Sequence, residues 1–527
     1  KEDTETISGD FGSNTNKDFR IGAAYKNDGS TVDYFDGKIS NFRIVKGTAV
    51  YTSSFKPPTE PLTNISGTVL LCCNNSSTTG KTTGGTITAT GDPTASTDSP
   101  FDDPAAFTFG ESGSESVIKT GSYVGNGSST GQEINLGWEP QWVMVKRTDS
   151  ADNWAMYDVM RGITTGGTDN QLRADQSAVE HTTGTTIAVT PTGFKFETSG
   201  SEVNANNGEY IYICIRSPDG YVGKPAELGS EVFSMNSGAN SGAPLFDSTH
   251  VVDYQFVRKI TATWNWETGA RLIGSKQVYL NTTGAETNTD PNGWKYDYMN
   301  GWHTNASGIS NYMCWMWKRH AGFDVVAYDG QTESIKDERH QLNAVPEMMW
   351  VKARTGQYAG NANWFVYHKG LNGGTNPHTY NLNLNTSDAE SSGGTQYWQR
   401  PPTSTHFSHG NTGGTGYTGW TYIAMLFAST DVSKVGYYDG SSSSQTITTG
   451  FQPRFLMIKG VTVASDWFIL DTTRGWASGN DTYIMLNANQ SQASDTDFGA
   501  PTSTGFTLTS GTTWNSSGNK FIYYAHA

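Results

Sequence analysis

The chain has 527 residues, of which only 16% are charged, and a formal net charge of −15. With a pI near 5.1 and no run of clustered Lys and Arg, it is unsuited to gripping phosphate backbones, so nucleic acid is not an expected partner. No stretch approaches the roughly 18 consecutive apolar residues of a membrane-spanning helix, and an aromatic content of 12% offers more area to bury than a disordered chain carries.

Gly, Ser, Thr and Asn are abundant, whereas Leu, Lys and Glu are sparse for a helical protein. This is the composition of short strands joined by tight turns. The length allows roughly three to five domains. The first residue is Lys1, so the lack of a leader sequence is uninformative.

In the first hundred residues, a strand is expected around Ile39, Phe42 and Ile44. These do not share parity, which calls for a bulge or for burial on both faces. A loop through Phe55 and Pro57-Pro58 leads to a second strand, Thr68-Val69-Leu70-Leu71-Cys72-Cys73, and Thr86 to Thr90 is a further short candidate. Adjacent Cys72 and Cys73 would point to opposite faces of that strand. With Cys214 and Cys314, which occupy closing strands of later repeats, they are expected to be buried free thiols. The segment Asp98-Ser99-Pro100-Phe101-Asp102-Asp103-Pro104 marks a linker.

The run Asp36-Gly37-Lys38-Ile39-Ser40-Asn41-Phe42-Arg43-Ile44-Val45-Lys46-Gly47-Thr48-Ala49-Val50-Tyr51, continued through Pro61-Leu62 and Leu70-Leu71-Cys72, resembles the C-terminal part of laminin-G-like, concanavalin-type jelly rolls. This version of the motif is common in tail proteins of marine bacteriophages, cyanophages included. The resemblance implies that the N-terminal half of that domain lies outside the chain. Some domains of this kind bind Ca²⁺ through loop carboxylates, and Asp28, Asp33 and Asp36 are the nearby donors; otherwise no cofactor is implied.

From residue 118 onward the chain repeats itself. Gly137-Trp138-Glu139-Pro140-Gln141-Trp142-Val143-Met144-Val145-Lys146 returns as Gly450-Phe451-Gln452-Pro453-Arg454-Phe455-Leu456-Met457-Ile458-Lys459. The register holds from Trp154 to Trp467 and from Asp158 and Arg161 to Asp471 and Arg474. A third copy contains Pro346-Glu347-Met348-Met349-Trp350-Val351-Lys352 and Trp364. A worn copy contains Tyr254-Gln255-Phe256-Val257-Arg258-Lys259, Trp264 and Trp266. Taking Trp142, Phe256, Trp350 and Phe455 as equivalent gives spacings the size of a small domain, too long for solenoid repeats.

Each copy follows one plan. An Asn-Gly or Asp-Gly turn comes first, then a strand apolar throughout and so buried on both faces, a strand led by Trp, a middle strand, and an aromatic closing strand. Six or seven strands per copy make a β-sandwich the natural fold. The expected organisation is therefore all-β: a partial jelly roll at 1–100, a linker at 101–117, and four tandem sandwiches at 118–220, 221–322, 323–430 and 431–527. The last closing strand runs to Ala527, as a genuine C-terminus would.

These repeats resemble a domain of unknown function found in marine phage tail and tail-fibre-like proteins. The shared features are the Pro-x-aromatic-aliphatic-Met-aliphatic-Lys strand, the Asp/Asn-Trp strand with Asp-x-x-Arg-Gly, and the Tyr-Ile-Tyr-type closing strand. The resemblance implies a virion setting and supplies no active site.

Asp158 with Arg161 and Asp471 with Arg474 are expected to be ion pairs that orient a turn, because the third copy has His368-Lys369-Gly370 there. Trp154, Trp364 and Trp467 could stack on sugars, but recurrence at one strand position marks core. Binding groups belong where copies differ. The third copy alone carries Tyr397-Trp398-Gln399-Arg400-Pro401-Pro402-Thr403-Ser404-Thr405-His406-Phe407-Ser408-His409. Trp398, Arg400, His406 and His409 are accordingly the candidate glycan or partner contacts, with His406 and His409 the only suggestion of a metal pair and a structural loop the plainer reading. The 294–302 segment is a second aromatic cluster, expected at a module junction.

The expectation is a non-enzymatic tail fibre or tail-associated virion protein. It would bind a host-surface glycan or lipopolysaccharide, contact other tail proteins, and form a homo-oligomer, with a trimer favoured. The alternatives are a purely structural virion component, a polysaccharide depolymerase and a bacterial adhesin.

Overall fold

Period-two alternation broken by Gly, Asn and Asp turns gives an all-β chain. The structure, a computed structural model, describes residues 19–25, 31–32, 34–52, 61–75, 77–91, 93–96, 117–166, 168–184, 186–289, 293–356 and 363–527. The chain divides into two units, Lys1–Thr108 and Phe109–Ala527.

In the first unit, Phe42–Val45, Thr68–Cys72 and Lys81–Thr83 form an antiparallel sheet, and Ala24–Tyr25 pairs with Thr31–Val32. The register slips between Ile44 and Val45, the irregularity that the mixed parity of that strand demands. The third strand of the sheet is Lys81–Thr83, not the stretch around Thr86 to Thr90. Asp28 and Asp33 lie outside the described residues, and Asp36 is exposed.

The second unit holds four modules of one design. In module 1 the large sheet runs from edge to edge as His181–Thr183, Asp169–Arg173, Ala155–Asp158, Pro140–Arg147, Glu209–Arg216 and Ile118–Val124. Module 4 has the same order: Ala493–Thr496, Asp481–Met485, Phe468–Asp471, Phe455–Gly460, Lys520–His526 and Ser433–Asp439. Module 2 repeats it with Thr287–Asn288, Lys276–Tyr279, Glu267–Ala270, Tyr254–Lys259, Tyr312–Trp317 and Phe233–Ser237. Module 3 does so with five strands, Leu382–Asn383, Phe365–His368, Met348–Ala353, Thr421–Phe427 and Phe323–Asp329. A small second sheet covers one face of each. The 294–302 aromatics belong to such a sheet: Trp294, Tyr296 and Trp302 fill the sandwich of module 2 with Val257, Cys314 and Met316, and are not at a junction.

The pairing also corrects the alignment of the copies. Trp142 sits opposite Asp158, Phe455 opposite Asp471 and Met348 opposite His368. Met348, and with it Tyr254, is therefore the counterpart of Trp142 and Phe455. Trp350 and Phe256 match Met144 and Met457. The basic end of the strand then falls into line as Lys146, Arg258, Lys352 and Lys459.

Alternation along these strands sends one set of side chains into each sandwich and the other set to the outer face of the large sheet. Leu456 and Ile458 line the sandwich of module 4, and Met349 and Val351 that of module 3. Their alternates, Phe455, Met457, Met348 and Trp350, join Tyr254, Phe256 and Trp315 in a single core shared between modules. All four cysteines are free thiols; Cys72, Cys214 and Cys314 are buried.

Candidate interaction surfaces

The shared core is built by three joints that repeat. Trp266 Nε1–H of module 2 donates to Met485 O of module 4 at 2.8 Å. Trp467 of module 4 donates to Asn383 O of module 3 at 3.0 Å, and Trp364 of module 3 to Tyr279 O of module 2 at 2.8 Å. The accepting positions are equivalent, and the direction, 2 to 4 to 3 to 2, closes a ring with approximate threefold symmetry.

The strand-end cation follows the same circuit. Arg258 donates to Ala488 O at 3.1 Å and to Gln490 O, Lys459 to Ser387 O at 3.2 Å and Asp388 O at 2.9 Å, and Lys352 to Thr283 O at 3.1 Å. Burial pushes Lys352 and Lys459 down to about 8, and Arg258 to about 10. A main-chain bond completes each joint: Gln492 N to Ile260 O, Glu390 N to Val461 O, and Glu286 N to Arg354 O, at 3.0, 2.8 and 2.9 Å. The acceptor strand is fixed by an asparagine one turn of pairing away, since Asn281, Asn385 and Asn487 each take the backbone N–H of the ring tryptophan.

Module 1 is attached differently. Thr165 N reaches Leu272 O, and Arg354 of module 3 reaches Thr165 O at 2.6 Å. Arg319 at the end of module 2 binds Glu139 of module 1, and reaches Asp324 and Val325 O at the start of module 3. Burial pushes Glu139 up to about 7 against the pull of Arg319, and Asp324 up to about 6. For Arg319 burial opposes the charge, but Glu139 and Asp324 more than offset it and hold the guanidinium above its ordinary value. Among the described residues, nothing covers the outer face of the module 1 sheet as the sister modules cover one another. Thr120, Ser122, Met144, Trp154, Ile211 and Ile213 border a groove of ≈ 490 Å³.

The third-module candidates do not form one cluster. Trp398 is 1% exposed and packs in the sandwich core near Tyr367, so it offers no platform to a sugar. His409 is also buried, bonded to Glu338 at 3.2 Å and stacked on Tyr328. His406 lies on the same strand, His406–His409, with an odd offset that turns the two rings to opposite faces, so they are not a metal pair. Arg400 is exposed and pairs with exposed Asp337 at 2.9 Å. Only Arg400 and half-buried His406 remain at the surface. Among the described residues, no three His, Cys, Asp or Glu side chains form a metal-holding group. The Asp158–Arg161 and Asp471–Arg474 pairs, both 2.6 Å, hold their turns, with the arginine N–H also on the aspartate.

Sequence reasoning missed three buried histidines, His250, His320 and His526. His320 and His526 have ring centroids 6.4 Å apart, and His250 is electrostatically coupled to both. Burial, then His250 and Lys318, pushes His320 down to about 3; burial pushes His250 to about 4 and His526 well below its usual range. A neutral ring in the fold against an unfolded value near 6.5 favours folding at high pH. That contribution is whole above pH 6.5, drains as pH falls, and is gone below the folded value. Asn in place of His320 keeps an acceptor for Gly322 N–H but cannot titrate. Relative to His320→Asn, the parent should lose about 2–3 kcal/mol between pH 7.5 and 4.5 in urea unfolding. Comparing both chains at each pH cancels the opposite trend from Glu139 and Asp324. An unchanged gap would mean that His320 takes up its proton in the fold as readily as in the unfolded chain.

No curated protein and no solved structure matches the chain. A family model described as a domain of unknown function, DUF7483, matches residues 4–218 and 267–527. The unmatched stretch falls at the start of module 2, the copy whose sequence has drifted furthest from the others. The two matched stretches run through all four modules and most of the first unit, and the chain belongs to the DUF7483 family.

Proposed function

We propose that this protein is a non-enzymatic virion component, a tail fibre or tail-associated protein that attaches to a host-surface glycan or lipopolysaccharide. The observation that carries the reading is the ring: three modules are locked by main-chain and buried cationic contacts, so their exposed loops are held as one rigid display. Linked weak sites on such a scaffold raise effective concentration without any strong single site. The surface part of the module 3 insertion, Arg400 and His406, is the contact retained from the sequence. Arg400 presents a planar donor fork suited to sugar carboxylates or phosphates.

A glycan and lipopolysaccharide array read with the intact chain tests this. Saturable binding to a narrow set is expected, weakened at least several-fold in Arg400→Ala. Stability should shift by less than about 0.5 kcal/mol, because the Arg400–Asp337 pair is exposed. No binding by folded protein would leave the second reading, a purely structural virion part, which the open aromatic face of module 1 favours.

A further inference from the structure

We propose that the outer sheet face of module 1 is an interface between copies of this chain, with three copies closing around a threefold axis as modules 2, 3 and 4 do within one chain. The inference goes beyond the attachment function and does not depend on it.

The same sheet face occurs in four versions, and only that of module 1 is left exposed among the described residues. Ile211 is 42% exposed, whereas its counterparts Met313, Ile423 and Ile522 are 2%, 0% and 1% exposed. Trp154 is half-buried at the edge of a groove, whereas Trp266, Trp364 and Trp467 are 0–1% exposed. The strand at 142–145 alternates Trp, Val, Met, Val, the pattern of a strand covered on both faces. Val143 and Val145 are fully buried, but Trp142 and Met144 are only half-buried. The residues of a covered face are present, and no described residue supplies the cover.

What covers the other three faces is the same face of a sister module, and the joint is directional. A tryptophan and a cation on one sheet meet carbonyls on the next. A head-to-tail contact of this kind closes only at the rotation it encodes, and inside this chain that number is three. Module 1 retains the donor half. Lys146 occupies the place of Arg258, Lys352 and Lys459, yet donates to Asp152 O of its own loop at 2.6 Å. It retains the acceptor half too. Ala155 lies opposite Arg173, as Phe468 lies opposite Met485, so Arg173 O is where Trp154 Nε1–H of the next copy would donate. Asp175 takes the backbone N–H of Trp154, as the asparagines do in the ring. The matching main-chain bond would join Glu180 N–H to Thr148 O. One difference is plain: Leu280, Leu384 and Leu486 are replaced by Ala174, which makes this joint smaller than the three within the chain.

Light scattering and native mass spectrometry on the intact chain at micromolar concentration test the proposal. The expected species has three times the 57.1 kDa chain mass. Ile211→Asp should reduce it to a monomer with an unchanged circular dichroism spectrum, because that side chain is already partly in water. Val345→Asp, an exposed valine of module 3, should leave the trimer intact. If Ile211→Asp misfolds, Glu180→Pro removes the joint's main-chain donor and should likewise give monomer. A monomeric or dimeric parent, or a trimer that survives substitution at both Ile211 and Glu180, would overturn the proposal.

Discussion

Replacing Arg319 by Met is expected to lower the unfolding free energy by about 3–5 kcal/mol. Arg319 is buried between Glu139 of module 1 and Asp324 of module 3, and one of its donors ends on Val325 O. Met fills the volume of the stem but leaves two carboxyl groups in a site that water does not reach. Both already sit above the ordinary carboxylate range because of burial, Glu139 at about 7 and Asp324 at about 6. Without the guanidinium they take up protons or draw in water, and the contact between modules 1 and 3 loses its anchor. Urea unfolding at pH 7 measures the loss. Adding Glu139→Gln and Asp324→Asn to Arg319→Met should recover a large part of it, since the damage comes from the unpaired charges rather than from the missing pair. If the single variant unfolds with the parent, the carboxyl groups are hydrated and the junction does not rest on this contact.

The same junction shows what the sequence could disclose. Repetition, turn pairs and period-two patterning were enough to place the sandwiches, because each depends on neighbours a few residues away. The ion pairs at Asp158 and Asp471 were legible for the same reason. Arg319 was not, because its partner Glu139 lies 180 residues away and nothing local distinguishes it from Lys318. Trp398 and His409 misled because an insertion unique to one copy looks like a loop, whereas its end is the strand His406–His409 of the small sheet. The ring left a trace that sequence reading only half used. Strands apolar on both faces need cover on both faces, and the Leu-Asn pair after each ring tryptophan recurs at Leu280-Asn281, Leu384-Asn385 and Leu486-Asn487. Which module supplies the cover depends on cyclic order, and no local pattern records that.

Trp467→Ala is expected to cost about 3–5 kcal/mol, the range for emptying a buried aromatic site. The loss should appear in module 3 as much as in module 4. Trp467 belongs to module 4 by sequence, yet its indole N–H donates to Asn383 O, and Lys459 beside it holds Ser387 O and Asp388 O. Trp467→Phe keeps much of the packing and leaves Asn383 O without that donor, so it should cost about 1–3 kcal/mol. Trp266 and Trp364 occupy the same place in the other two joints, and their alanine variants should fall in the same range. Hydrogen exchange separates a ring from beads on a string. In a ring, opening one joint frees both sides, so Trp467→Ala should speed exchange across 380–388 as well as in its own sheet, with modules 2, 3 and 4 still melting in one transition. Faster exchange confined to 431–527, or a separate early transition for that module, would show that each sandwich stands alone and that the joints add contact without coupling.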